Sequence, residues 1–532
     1  MLFQSLSFIF VFFPFTLAAF LLLNKRFPNA AAGLLIAASL VFCGYNDLRA
    51  AMVIVGSAFF NYLAALVMEK TKPGSVYKTL CLIIGICLNF LVLFWYKFFS
   101  ASIQDSLIRN ESIVNSMLEV SIPLGLSFYT LYQISLLVDI YQKKAKRYDF
   151  RSYLLSLTMF AHLPAGPILR YKTSIQQFSE VGRKSISEEN IVLGLSLFTF
   201  GLFKKTLLAD PLSIFTDQMF ASINSGASFT TLESLFTVWG FLLQLYFDFS
   251  AYSDMAIGLG LCFGLKFPVN FNSPLKATSF ADYVGRWHIS LIAFNREYIF
   301  LPVSKLMLKL FKGFPKYKYY LSGIIATMVV YISVGFWHAP TLQFLFSGVL
   351  IGLILTMSQI IVLIFGKTLH LKFKPNSSLK KIGTILNQFK VLLVAGIAGS
   401  LLRLNDLLAF RSLLEGFGNF KINNYNTLFY LNQKIGNHDF FSMIENPIYL
   451  FSYKSLTLPF PFFILICSVL ALRGPNSMEI FGLRAHSDEK WNKYLLWKPT
   501  LFWGVSIGFL IALYLVTKVG NHASNDFIYG QF

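Results

Sequence analysis

The sequence predicts an all-α, polytopic membrane protein. Three observations carry that prediction: apolar residues make up 55% of the 532 residues, charged residues only 13%, and the apolar residues are gathered into runs of bilayer-crossing length. A soluble domain averages roughly 25% charged residues, so this chain cannot cover itself with a solvated surface. The 58 phenylalanines and the 17% aromatic share suit lipid-facing helices and interfacial belts. The same composition excludes disordered and fibrous classes.

A membrane-crossing helix takes roughly 20 residues. Apolar runs of about that length occur near 5–23, 31–47, 50–68, 79–98 and 120–140. Met1 to Ser7 carry no basic residue and Lys25-Arg26 follow the first run, so the first run reads as a retained span with its N-terminus outside, not a cleaved signal. Lys25-Arg26, then Lys70, Lys72 and Lys78, then Lys143, Lys144, Lys146, Arg147 and Arg151 alternate with loops holding Asp47, or Asp105, Glu111 and Glu119. Positive-inside sorting therefore orients all five spans. The run 152–169 contains His162, Pro164, Gly166 and Pro167 and is followed by Arg170, Lys172, Arg183 and Lys184, which predicts a re-entrant or broken helix. Non-helical backbone at that depth needs protein or a wet cavity to satisfy it, so a cavity is expected to begin there.

Further runs lie near 191–209, 233–248, 252–266, 287–303 (a partial one), 319–337, 341–365, 391–410, 456–472 and 499–517. The expected total is roughly 11–14 membrane helices, including re-entrant or broken segments. The flanks 304–318 and 366–390 are basic without an acid, so both are expected in the cytoplasm, with the two helices between them forming a hairpin. Continuing the alternation puts 411–455 outside, 473–498 inside and the C-terminus outside. No internal repeat is visible, and the chain reads as a single membrane-embedded domain, residues 1–532.

The net charge is +20, from 45 Lys+Arg against 25 Asp+Glu. These cations sit in short clusters between apolar runs, so membrane topology explains them and no nucleic-acid partner is expected; the partner they imply is the lipid bilayer. Cys43, Cys81, Cys87, Cys262 and Cys467 all lie in apolar stretches without paired spacing and read as small packing residues; no metal site is expected. No GxSxG elbow, HExxH motif or Walker loop occurs, and the pair of corresponding broken helices that marks a secondary transporter is missing from the pattern.

Ionisable groups inside spans are costly and by default mark a cavity or a partner. One cluster is Gln244, Tyr246, Asp248, Ser250, Tyr252, Ser253 and Asp254, in "LQLYFDFSAYSDMAIGLG". It predicts a broken helix lining a wet pocket, with a polar network that ties two helices together as the alternative. A second is Arg286, Trp287, His288 and Ser290, followed by Arg296 and Glu297. It reads either as a basic mouth for an anionic, phosphate-bearing thioester or as a charged edge reaching lipid headgroups. The third is Trp337-His338-Ala339-Pro340, at the tip of the hairpin. At 1.5 Å per residue, His338 lies about 30 Å along the helix from Lys318, deep or near the far side. A neutral imidazole is the cheapest base to desolvate there and exchanges a proton near neutral pH; a hydrogen-bonded packing histidine is the plainer reading.

At these residues the chain resembles the membrane-bound O-acyltransferase superfamily, in particular its bacterial branch of alginate O-acetylation membrane proteins and D-alanyl transfer proteins. The stretches that carry the likeness are "IPLGLSFYTLYQISLLVDIY" (122–141), "AHLPAGPILRY" (161–171), "GLFKKTLLAD" (201–210), "LQLYFDFSAYSDMAIGLG" (243–260), "FPVNFNSPL" (267–275), "RWHISL" (286–291) and "FWHAP" (336–340). The resemblance implies that His338 is catalytic, that His288 is a second pocket histidine, and that Tyr529, in the aromatic ending Phe527 to Phe532, relays the acyl group. After "RWHISL" the chain departs from the family's usual Trp-Leu-Arg-Asp-Tyr and Gly-Gly-Asn pattern, with Phe294, Asn295, Arg296, Glu297 and Tyr298 instead.

The function expected on that basis is transfer of an acyl group, acetyl in the first instance, to hydroxyls of an exported polysaccharide, as in alginate O-acetylation. The donor is a cytoplasmic thioester, acetyl-CoA or an acyl-carrier protein, and no bound cofactor is needed. His338 acts as general base on the accepting hydroxyl, His288 orients or polarises the carbonyl, and Asp248, Ser250, Ser253, Asp254, Arg286 and Trp337 shape the pocket. The expected setting is the bacterial cytoplasmic (inner) membrane, with a secreted or periplasmic acyltransferase as partner. D-alanyl transfer to teichoic acid, a non-catalytic scaffold for that partner, and lipid acylation are the rival readings.

Overall fold

A computed structural model describes residues 1–107, 122–315, 317–365, 378–420, 460–483 and 496–519. Among them every regular element is helical. Among the described residues, six helices are long and apolar enough to cross a membrane by length and composition, and four shorter apolar helices accompany them. The chain is thus an all-α, multi-pass membrane protein. Its outer faces agree, since Phe15, Leu22, Met52, Phe59, Ile83, Trp95 and Phe509 are all exposed, a surface that lipid covers and water would not.

In chain order, α1 (Phe8–Leu23), α2 (Pro28–Gly44), α3 (Leu48–Lys70) and α4 (Val76–Leu107) match the first four expected spans, and α5 (Leu126–Tyr141), a 16-residue buried helix, occupies the described part of the fifth. The run around His162 is broken as its prolines predict: α6 (Phe150–Thr158) ends, irregular backbone follows, and α7 begins at Tyr171 (Tyr171–Ser179). Its freed groups are met inside the protein: Phe160 N donates to Ser39 Oγ (3.1 Å), His162 Nε2 lies 3.0 Å from Ser156 O, and Ile168 N donates to Ser290 Oγ (2.9 Å).

One expected break is absent. The runs 233–248 and 252–266 form one continuous 32-residue helix, α9 (Thr231–Cys262), started by a capping box between Thr230 and Glu233. From Gly240 to Cys262 every residue of α9 is buried, so it is the central post of the molecule. Its polar residues do not break it because side chains on α8 meet them. That helix, α8, runs Glu188–Asn224 through a π-turn at Lys204–Ala209 and is far longer than its apolar run suggests.

α8 and α9 come close because both carry glycine where they cross. A Cβ on Gly194 would stand 2.5 Å from Gly258 O, one on Gly258 would stand 2.5 Å from Gly194 O, and one on Gly201 would stand 2.7 Å from Ala251 O. Small residues that let backbones touch are the usual means of helix association in lipid. Beyond the crossing, the π-turn lets successive lysines reach different acids of α9. Lys204 pairs with Asp254 (2.8 Å) and Lys205 with both Asp248 (2.7 Å) and Asp210 (2.8 Å).

After α9 come three short helices, α10 (Phe280–Arg286), α11 (Ile289–Asn295) and α12 (Leu301–Leu310), the last two joined by a π-turn at Arg296–Phe300. The predicted hairpin follows as α13 (Lys318–His338) and α14 (Leu342–Phe365). Gly335 abuts the Phe344 carbonyl and Gly348 the Tyr331 carbonyl, with a Cβ at either glycine 3.4 Å from the other's Cα, so the two helices touch near their tip. α15 (Ser378–Ser400) starts well before its apolar run and ends inside it; α16 (Leu407–Gly416), α17 (Phe460–Arg473) and α18 (Leu501–Val519) follow, with single helical turns at Pro274–Lys276, Phe311–Gly313 and Ser477–Ile480 besides.

Gly194→Ala and Gly258→Ala should each overpack the α8–α9 crossing and cost about 1–3 kcal/mol, seen as a lower thermal midpoint in detergent. Gly56→Ala, whose added Cβ meets nothing within 4 Å, should leave the midpoint unchanged or raise it.

Candidate active site

The site is built on two histidines delivered by separate devices. His338 is the last residue of α13, where helix carbonyls lose their intrahelical donors. Lys97 supplies a replacement: reaching from α4, its ammonium donates to Trp337 O (2.7 Å) and His338 O (2.5 Å) and lies 5.8 Å from the Trp337 ring centre. A cation is favoured at the negative end of a helix, which offsets a burial cost of roughly 2.5–3.5 kcal/mol for a lysine in a span. Trp337 is buried against Phe128 and donates from Nε1 to Ser127 O (3.2 Å), fixing the rotation of the helix end. The His338 ring, packed edge-on to Trp337, turns towards an internal cavity.

His288 stands between α10 and α11 in the left-handed region, with φ 45°. That conformation is uncommon for a residue other than glycine, and such outliers gather at functional sites. The extended stretch before α10 enforces it: Ile289 N donates to Asn270 O (2.9 Å), and Asn272 N donates to Arg286 O (3.0 Å). Asn270 also determines the state of the ring. Ser290 N, an obligate donor, points at one oxygen of Asn270, Oδ1 (3.3 Å), and Ser290 Oγ donates to the same atom (2.5 Å). His288 Nδ1 faces that oxygen at 3.3 Å, so Nδ1 carries the proton of the neutral ring and Nε2 its lone pair.

Both histidines line one cavity of about 150 Å³. The rest of the lining is mostly apolar, from α9, α10, α13, α14 and α15; Asn295 is the side-chain amide among the lining residues. The wall of α11 is one helix thick. His288, Leu291, Ile292 and Asn295 face this chamber, while Ile289, Ser290 and Ala293 face a second cavity of about 560 Å³ bordered by Arg170, Gln177 and Lys266. The far end of α11 is pinned through the π-turn, where Glu297 takes Arg170 (2.8 Å), Lys144 (3.7 Å) and Lys172, and Tyr298 Oη donates to Asp139 (2.9 Å).

Of the residues singled out from sequence, His338, His288 and Trp287 line one chamber and the others stand elsewhere. Trp337 lies behind His338 rather than in the chamber lining. Arg286 pairs with Asp282 (2.7 Å) and donates to Asn272 O (3.3 Å), fastening α10 instead of opening a basic mouth into the histidine chamber. Asp248 and Asp254 belong to the lysine pairs of α8, and Ser250, Ser253 and Asp254 border a separate small cavity with Lys204 and Asn270. The helix-tying network, not the broken helix beside a wet pocket, is the arrangement found. Tyr529 lies outside the described residues. Among the described residues no group of His, Cys, Asp and Glu is arranged to hold a metal.

Sequence reasoning assigned no role to Lys97, Asn270 or Asn295. Lys97 had a signal, as the lone charge in "NFLVLFWYKFFS"; its partners are backbone carbonyls more than two hundred residues away, which no motif records.

The match of residues 73–378 to the model of the MBOAT, membrane-bound O-acyltransferase family, decides the class. The chain belongs to that family. It is an O-acyltransferase. Its relatives include the peptidoglycan O-acetyltransferase of Helicobacter pylori, 33% identical over 68% of this chain and 70% of that one. Another is the probable alginate O-acetylase AlgI of Pseudomonas aeruginosa, 30% identical over 68% of this chain and 66% of that one. The teichoic acid D-alanyltransferase of Bacillus subtilis is more distant, 24% identical over 44% of this chain and 58% of that one.

In this O-acyltransferase, Lys97→Met should leave the carbonyls at the end of α13 without a donor, at about 1–3 kcal/mol. A lower thermal midpoint together with reduced acyl transfer is expected. Lys97→Arg, which still donates, should keep most of both.

Proposed function

We propose that the enzyme moves an acetyl group from a cytoplasmic thioester to hydroxyls of an exported polysaccharide or cell-wall polymer, with His338 as general base. The observation that carries this reading is the shared chamber: the buried imidazole of His288 and the half-buried one of His338 line about 150 Å³ of largely apolar space. A cavity of that size accepts a small molecule such as benzene; it suits an acetyl group and its sulfur, not a long acyl chain, which argues against lipid acylation. The relatives named for peptidoglycan and alginate O-acetylation point the same way.

In this mechanism a neutral His338 takes the proton of the acceptor hydroxyl as its oxygen bonds to the thioester carbonyl carbon. The tetrahedral intermediate collapses, the carbon–sulfur bond breaks, and the imidazolium returns its proton to the departing thiolate, giving ester and thiol. With its proton on Nδ1, His288 presents a lone pair, which fits orienting the incoming hydroxyl better than polarising the carbonyl. The second cavity, with Arg170 and Lys266 at its edge, is the approach for an anionic donor, acetyl-CoA or an acyl-carrier protein. The acceptor comes from the outer face, directly or through the Tyr529 hydroxyl and a secreted acyltransferase partner. The chain sits in the bacterial cytoplasmic membrane with its basic loops inside and both termini outside.

The test is alkali-released acyl groups on envelope polymers, in cells lacking the native gene and supplied with variants at equal membrane abundance. His338→Ala should lower them by at least about 10²-fold; full acylation would favour the scaffold reading, and release of D-alanine in place of acetate would favour the teichoic acid one. In detergent with labelled acetyl-CoA, Lys266→Ala should raise the half-saturating concentration several-fold, on the order of threefold, with little change in maximal rate. The gap should narrow as salt is added.

A further inference from the structure

We propose that Asn295 is a catalytic residue whose side-chain amide donates a hydrogen bond to the carbonyl oxygen of the acyl group as that oxygen becomes negative. The inference rests on the reading of the histidine chamber as the place of transfer and names the group that receives the developing charge.

Asn295 is the last residue of α11, two turns beyond His288 on the same face, and lines the chamber with both histidines. It is 4% exposed, and its Nδ2 has no hydrogen-bond partner among the described residues. Buried amide donors are nearly always paired, and one left over calls for an explanation. Here Asn295 lines a chamber with His288 and with His338, which must act there as an acceptor. A tetrahedral intermediate needs the opposite kind of group, a fixed donor already desolvated and aimed at the oxyanion. The next residue begins the π-turn at Arg296–Phe300, held by Glu297, and a π-turn inside a helix is frequently a functional feature.

When the hydroxyl oxygen bonds to the carbonyl carbon, the carbonyl π pair moves onto the oxygen, and the Asn295 N–H bond to that oxygen strengthens. When the pair returns, the carbon–sulfur bond breaks and the thiolate takes the proton held by His338. Asn295 neither gains nor loses a proton.

Asn295→Ala and Asn295→Leu test this in purified protein with labelled acetyl-CoA, and in cells through alkali-released acyl groups at equal membrane abundance. Loss of one oxyanion donor should lower the transfer rate about 10²–10³-fold, with the half-saturating donor concentration within about twofold of the parent. The thermal midpoint should stay unchanged or rise, because each variant removes a buried polar group that has no partner in the resting enzyme. A transfer rate within about threefold of the parent, or a loss of rate that tracks a fall in thermal midpoint, would overturn the assignment. His338→Ala separates the two levels: if it is inactive while Asn295→Ala is fully active, only the Asn295 role fails; if it is fully active, the reading of the chamber fails.

Discussion

A helix that stops inside a membrane protein leaves carbonyls that water cannot reach, and the architecture around the hairpin follows from meeting that demand. α13 ends at His338, and Lys97 closes its last carbonyls from α4. The lysine is tolerated because the helix end attracts it, and the helix end is tolerated because the lysine is there. The glycines at 335 and 348 then let α14 turn back at close range, so the imidazole emerges beside a chamber rather than into lipid.

The second histidine is held by different means. Its left-handed backbone, the two backbone bonds to the 270–272 stretch and the acceptor oxygen of Asn270 set both its place and its proton. α11 then serves as a partition, chamber on one side and the larger, more polar cavity on the other, pinned at its far end by Glu297 and its three cations. On the proposed mechanism, α11 would stand between the approach of a charged donor and the largely apolar space in which the ester would form.

Much of this was legible in the chain. The spans, the broken segment at His162 and the hairpin follow from apolar length, proline and loop charge, because those terms act locally. The two histidines stood out as titratable groups in apolar surroundings and through the family resemblance. The cluster at 244–254 was misread for a physical reason: sequence shows the buried acids, but whether they break a helix depends on partners some forty to fifty residues away, Lys204 and Lys205. Once those lysines are in place, nothing requires α9 to open. The roles of Asn270 and Asn295 were illegible for the same reason, since an amide has meaning only through what it faces.

The central claim is that the acyl group reacts in the chamber shared by His288 and His338. An electron cryo-microscopy structure with a non-hydrolysable thioether analogue of acetyl-CoA tests it most directly. The account predicts density for the two-carbon group in that chamber, its carbonyl oxygen beside the Asn295 amide and its carbon within reach of an acceptor oxygen hydrogen-bonded to His338. Density for the acyl end on the far side of α11, with His338 in contact with neither analogue nor solvent, would contradict it.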